Sequence, residues 1–382
     1  MVLGDINQNK WSLGLERVRQ ALKRLGHPEK AYRHVLVGGT NGKGSTCVYL
    51  EHILLAAGYR VGTNMSPHVI SFTERFRINS LLADEGELEQ IRKEIQGDVH
   101  DIGLTYFEWC VVLAAVIFAR HKVDTGIFEI GLGGRFDASN VMDPAISVIT
   151  DISIDHTDYL GDTIAAIAAE KAAIARQGRP LITSAVGEAL EVVRDYARKL
   201  GADLYEVNRP YPHEISMKGP AQRLNAALAI EAARALGVDL SEDRLASALG
   251  EAFLPGRLEN IGGRIILDVA HNPSSMLVLI NYLKDIGFHG VAVLGVLADK
   301  DYMTMTKMLG QVCSHIYIAP VASERSWGEE EFSACLALGN ITRCKSITDA
   351  LHKAYQAEQG VVVTGSFYTV GEVRDSILCT GR

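Results

Sequence analysis

Residues 34–46 read HVLVGGTNGKGST, and the fold turns on them. An apolar run closes in a glycine-rich turn carrying one lysine, and a helical pattern follows. A strand, a loop of small residues and a helix start bring successive backbone N–H groups together, which is how proteins cradle phosphate. The common phosphate loop has Gly-Lys followed directly by Ser or Thr. Here Gly44 stands between Lys43 and Ser45. On this reading the amides around Gly42, Gly44 and Ser45 hold phosphate oxygens, Lys43 supplies a point charge, and the Ser45 hydroxyl reaches a magnesium ion. A plain strand-to-helix turn is the competing reading. Four glycines and a lysine within seven residues argue against it.

Composition narrows the setting. The chain has 382 residues, 47% hydrophobic and 22% charged, which is ordinary for a folded globular protein. Its longest apolar run, Cys110 to Ala119, is too short to span a bilayer, so no membrane partner is expected. The opening MVLGDINQNKWSLG lacks the basic flank and apolar core of a secretory signal. Six scattered cysteines without a CxxC pair suggest reduced thiols and a cytoplasmic location. A net charge of −8 without a basic block argues against nucleic acid. Such a chain binds a polyanion only by concentrating positive charge locally.

Strand-like and helix-like segments alternate. VLVGG (35–39), RVGTNMS (60–66), DTGIFEIG (124–131) and AISVITDI (145–152) read as strands. Thr46 to Ala57, Leu104 to His121 and Thr163 to Arg176 read as helices. Apolar strands ending in Gly, Ser or Asp, with helices between them, imply an α/β fold built on a mostly parallel sheet covered on both faces. Near FLPGRLE (253–259) a Pro-Gly pair marks a joint. Beyond it the alternation restarts with RIILDVAH, VAVLGVL, HIYIAP and GVVVTGS. The expected organisation is a P-loop-type domain over 1–255 and a smaller Rossmann-like α/β domain over 256–382. Nicotinamide chemistry is disfavoured. GxGxxG fails from Gly42, where the sixth position is Cys47, and from Gly131, where it is Phe136.

Polar groups collect at the strand ends: SPH (66–68), Glu129 in EIGLGGRFDASN, His156 in DHTDYLG, Lys171 in EKAAI, and Asp268 and His271 in LDVAHNP. Each alone has a plain structural explanation, such as a turn, a cap or a solvated lysine. The set, together with ERFRIN (74–79), YFE (106–108), PGRLE, LADKD (297–301) and TGSFY (364–368), resembles the Mur ligase superfamily. Within it, the set resembles the folylpolyglutamate synthase and dihydrofolate synthase family. The likeness runs in order through nearly the whole chain. It also makes Lys-Gly-Ser this superfamily's form of the phosphate loop.

The resemblance implies an ATP- and Mg²⁺-dependent ligase. Such enzymes join L-glutamate to a pterin or folate carboxylate through an acyl phosphate. Carried onto the matching positions, Gly42, Lys43, Gly44, Ser45, Asn225, Arg257 and Asp268 contact ATP. Ser66, Glu129 and His156 hold the metal, although Mg²⁺ prefers oxygen and a histidine ligand is chemically unusual. Lys171 matches a lysine that this family carbamylates. Lys43, Lys171 and His271 are the catalytic candidates, with His271 steering the glutamate or taking its proton, and Ser366 lining the same site. The pterin falls near Thr105, Tyr106, Phe107 and Glu108, with Phe136, Asp137 and Ala138 opposite. A monomer is the family-like expectation. One departure stands out: the family commonly carries a histidine where GPAQRLNA (219–226) has Ala221. Two alternatives remain open on sequence: a Mur-type ligase acting on another carboxylate, and a nucleotide-binding paralogue without ligase chemistry.

Overall fold

The computed structural model describes residues 2–4, 6–7, 12, 14–357 and 360–380. The chain divides into two compact units. One is Met1–Ser216 with Ala221–Phe253, and the other is Met217–Pro220 with Leu254–Arg382.

The first unit carries β1 (Arg33–Gly38), β2 (Val61–Asn64), β3 (Phe76–Ile78), β4 (Leu81–Leu82), β5 (Thr125–Glu129), β6 (Pro144–Ile149), β7 (Pro180–Thr183) and β8 (Asp203–Glu206). They form one sheet in the order β4-β3-β2-β5-β1-β6-β7-β8. Strands β2 through β8 in that order pair in parallel, while the β3–β4 hairpin joins antiparallel at one edge. Helices cover the sheet, so its central strands are buried along their length and read as unbroken apolar runs rather than alternating ones.

Two helices anchor this unit. Lys43–Ala56 is buried on nearly every side and follows β1 directly. The sequence pattern places its start at Thr46. The structure starts it at Lys43, because Gly42 takes a left-handed φ of 85° at the cap and turns the chain at once. Tyr106–Arg120 holds the longest apolar run and fills the main core with Trp109, Val112, Leu113 and Phe118. Thr105 and Glu108 close a capping box at its start. Among the described residues no helix is long and apolar enough to cross a membrane.

The second unit carries β9 (Glu259–Ile261), β10 (Ile265–Leu267), β11 (Gly290–Leu294), β12 (Cys313–Ile318), β13 (Ile341–Arg343) and β14 (Gly360–Thr364), in the order β13-β12-β11-β14-β10-β9. All pairs are parallel except β9–β10. This is a Rossmann-like sheet with one antiparallel edge strand, and its own core gathers Met276, Leu279, Met305, Phe332 and Val362.

Candidate functional site

In the first unit β1 lies between β5 and β6, and the chain leaves β1 toward one side of the sheet before returning to the other. Ligands of open α/β sheets sit at the carboxyl ends of strands at such a switch point. The loop Gly39–Gly42, Glu129 at the end of β5, and Thr150 and Asp151 after β6 all fall there.

Two glycines of the loop pass too close to their neighbours to carry a side chain. Gly39 has φ 138°, and a Cβ on it would lie 1.8 Å from the Thr150 hydroxyl oxygen. A Cβ on Gly42 would lie 2.5 Å from Asn225 Oδ1. Among the described residues no side chain caps the helix Lys43–Ala56, so its first-turn N–H groups keep donor capacity. The Ser45 and Thr46 hydroxyl oxygens are buried without a hydrogen-bond partner among the described residues. Buried orphan hydroxyls at an uncapped helix start suit phosphate and its counter-cation. Asp151 shapes the loop from below: its carboxylate accepts the Asn41 backbone N–H and, at 3.2 Å, the Asn41 side-chain amide. Thr150 Oγ1 donates to Asn41 O at 2.6 Å.

Two lysines reach this loop. Lys43 Nζ donates to Thr40 O at 2.9 Å and to Gly39 O at 3.2 Å. Lys171, in the helix Ile164–Ala172, is only 4% exposed and donates to Gly39 O at 2.8 Å. Burial, helped by the Lys43 charge, lowers Lys171 to about 7 against the opposing pull of Asp151, Asp155 and Asp137.

The expected metal ligands follow three strands: Ser66 after β2, Glu129 at the end of β5 and His156 beyond β6. Glu129 is 5% exposed and its Oε2 accepts the Ser66 N–H at 2.9 Å, which joins two of the three. His156 adopts a left-handed φ of 53° and its N–H donates to Asp155 Oδ1 at 2.8 Å. A non-glycine residue held there is uncommon and marks a constrained loop. Among the described residues no three His, Cys, Asp or Glu side chains gather as a metal-binding group. The donor set of Ser66, Glu129 and Ser45 oxygens nevertheless has the hard chemistry that Mg²⁺ takes.

The acceptor-side residues divide. Tyr106 is 5% exposed and packs edge-on against Phe72 with Arg75 over its ring at 5.4 Å, so its ring belongs to the core. Phe107 is half-buried, while Phe136 is exposed. Glu108 and Asp137 are buried, and their carboxylates are engaged within the protein. Glu108 takes the Thr105 N–H and Arg17. Asp137 takes the N–H groups of Gly131, Leu132 and Ser139 at 2.9–3.0 Å. Asp137 also caps the short helix Ala138–Val141, and burial raises it to about 6.

Asn225 is held by Gln222, whose side-chain oxygen accepts its amide at 3.3 Å. Gln222 is buried, whereas Ala221 is exposed, so the anchor of Asn225 survives the missing histidine.

In the second unit Asp268 accepts the N–H groups of Leu258 and Ala270 at 3.0 and 2.9 Å. Leu258 has φ 47°, a costly conformation for a branched residue, and Asp268 holds it there. That fixes the backbone beside Arg257, whose guanidinium lies 5.3 Å from the Phe367 ring centroid. The His271 ring lies 5.8 Å from the same ring, with Nδ1 donating to Val269 O at 3.0 Å. Ser366 is 2% exposed and bonds Thr369 at the start of the last helix, so its hydroxyl serves that helix.

Comparison with known proteins fits this arrangement. The Mur ligase middle domain matches residues 37–206, and the Mur ligase glutamate ligase domain matches residues 256–367. The Escherichia coli (strain K12) dihydrofolate synthase/folylpolyglutamate synthase is 36% identical, over 98% of this chain and 94% of that protein. The chain belongs to the dihydrofolate synthase/folylpolyglutamate synthase family. Its fold is similar to that of E. coli FolC in complex with DHPP and ADP, with a TM-score of 0.91, 35% identity, and 99% and 96% of the two chains covered. A bifunctional folylpolyglutamate synthase/dihydrofolate synthase with Mn, AMPPNP and L-glutamate bound superposes with a TM-score of 0.88 at 34% identity, covering 96% and 95% of the chains.

Within this family's frame, sequence reasoning overlooks several residues. Asp151 closes an apolar strand pattern and carries no motif signature. Arg17 lies 91 positions from its partner Glu108. Arg135 binds Glu170 at 2.7 Å, tying the loop after β5 to the helix of Lys171. The adjacency of Arg135 to GLGG and of Glu170 to Lys171 is the only trace of that link in the sequence.

Proposed function

We propose that this chain joins the amino group of L-glutamate to the carboxylate of dihydropteroate, of reduced folates, or of both, with ATP as the activating substrate. It is an ATP-dependent acid–amino-acid ligase that uses a divalent cation. A carboxylate is a poor electrophile at neutral pH. Transfer of the terminal phosphoryl group to it gives an acyl phosphate, which the glutamate amine attacks, and phosphate leaves. This chemistry needs positioning and charge neutralisation above all.

The observation that carries the reading is the loop after β1, where Lys43 and Lys171 face one carbonyl beside orphaned Ser45 and Thr46 hydroxyls. The amides of Gly42, Gly44 and Ser45, with Lys43, hold the phosphates. Asn225, Arg257 and Asp268 serve the nucleotide. Ser66, Glu129 and His156 hold the cation, which when bound neutralises phosphate charge. Lys171 is the carbamylation site: near neutral pH much of its amine is uncharged and able to add CO₂, releasing one proton. Thr105 and Phe107, with Phe136 and Ala138, face the pterin, while Tyr106, Glu108 and Asp137 shape that wall from behind. His271 takes or guides the glutamate ammonium proton, and Ser366 holds the adjoining helix start. The protein works as a monomer in the cytoplasm.

Mass spectrometry of products from dihydropteroate and from tetrahydrofolate, each with ATP, Mg²⁺ and L-glutamate, tests the reading. Glutamylated product with either acceptor supports it. Turnover with only a UDP-muramyl acceptor and its amino acid would replace it with a cell-wall ligase.

A further inference from the structure

We infer that Arg17 is a positioning residue of the acceptor pocket, fixing through Glu108 the helix start that presents Thr105 and Phe107. The inference rests on the ligase reading above. The Glu108 side chain is 3% exposed and that of Arg17 is 30% exposed. Arg17 Nε lies 3.0 and 2.9 Å from the two Glu108 oxygens, and Nη2 lies 2.8 Å from Oε1. The same carboxylate accepts the Thr105 N–H at 2.8 Å and closes the capping box of the helix Tyr106–Arg120. Without a cation this buried carboxylate would lose its charge partner, and the cap would shift with it.

The guanidinium also ties down the chain that precedes it. Its Nη2 donates to Ser12 O at 2.7 Å, and Gly14 N–H donates to Phe136 O at 3.2 Å. Ser12, Gly14 and Arg17 thus hold both sides of the acceptor region, the helix start at 105–108 and the loop at 131–138. Those sides meet directly, since a Cβ on Gly131 would lie 2.7 Å from the Phe107 ring. Helix stability alone does not account for the arginine. A cation at a helix N-terminus works against the helix dipole, while Glu108 alone would favour it.

The test is steady-state kinetics of Arg17→Met and Arg17→Lys with dihydropteroate, ATP and L-glutamate, beside thermal melting. For Arg17→Met the acceptor KM rises about tenfold or more while kcat and the ATP KM stay within about twofold, as expected for misplaced binding groups away from the phosphate loop. Arg17→Lys restores part of the loss. An unchanged acceptor KM, or acceptor and ATP KM values rising together without rescue by lysine, overturns the inference. If Arg17→Met does not fold, Arg17→Lys decides by the same split. Wild-type protein that neither binds nor glutamylates a pterin acceptor overturns the ligase reading and this inference together. Active wild type with an indifferent Arg17 removes only the inference.

Discussion

Lys43 and Lys171 share one acceptor: their side-chain nitrogens lie 3.2 Å and 2.8 Å from the carbonyl oxygen of Gly39. Two side-chain amines donating to one neutral carbonyl oxygen form an incomplete electrostatic arrangement. An anion entering beside the helix start at Lys43 would make it favourable. The proximity also contributes to the low basicity of Lys171.

Lys43→Ala removes the more accessible of the two amines. Turnover is expected to fall by at least about a hundredfold, since losing one preorganised charge stabiliser costs ~2.7–4 kcal/mol. Acceptor-dependent ADP release measures it, and near-normal turnover would remove Lys43 from the phosphate site.

Lys171→Ala takes away the amine that a carbamate needs. Turnover is expected to drop and to recover in part when a short carboxylate such as acetate is added. Loss of activity without any recovery would leave the lysine acting as a cation, not as a carbamate.

The same lysine leaves a mark on stability. Its folded value is about 7 and its ordinary value 10.5, so between these the unfolded chain binds more protons and stability rises with pH. Below about 7 both states are charged and the full cost of burial is present. Lys171→Met should therefore stabilise most near pH ~6 and progressively less toward pH ~9. Urea unfolding at the two values tests the sign, and a larger gain at the alkaline end would contradict it.

How much of this was legible before the structure depends on what each feature asks of the chain. The phosphate loop shows itself because its glycines, lysine and serine are consecutive. Buried parallel strands such as β1 and β5 show themselves as apolar runs. Strands β3, β4, β9 and β13 are two or three residues long, too brief for a periodic signal. The hydrogen bonds of Glu108 and Asp137 are hidden for another reason. A carboxylate beside aromatic residues reads equally as a ligand contact or as an anchor for backbone N–H groups, and only coordinates show which hydrogen bonds it makes. The left-handed Leu258 beside Arg257 has no sequence signature, because leucine is not a residue that favours that region.

Leu258 supplies its own test. Asp268→Ala frees its N–H and that of Ala270, with an expected loss of about 1–3 kcal/mol from unsatisfied donors. The backbone beside Arg257 is then released, and the ATP KM should rise with it. Unfolding by urea and steady-state kinetics read the two effects separately, and an unaltered ATP KM would detach Arg257 from the nucleotide.

Gly39→Ala probes the loop itself. With φ 138° and a Cβ only 1.8 Å from Thr150 Oγ1, the substitution forces the loop off its path. Nucleotide binding by calorimetry should be lost, with a backbone cost on the order of 1–3 kcal/mol. Undiminished binding would mean that the loop does not hold the phosphates.

The most direct measurement is a crystal structure with a non-hydrolysable ATP analogue and Mg²⁺. The triphosphate should lie within hydrogen-bond distance of the amides of Gly42 to Ser45, with the Lys43 ammonium swung from Gly39 O onto a phosphate oxygen. A triphosphate bound away from that loop, with Lys43 still on the Gly39 carbonyl, would contradict the account at its base.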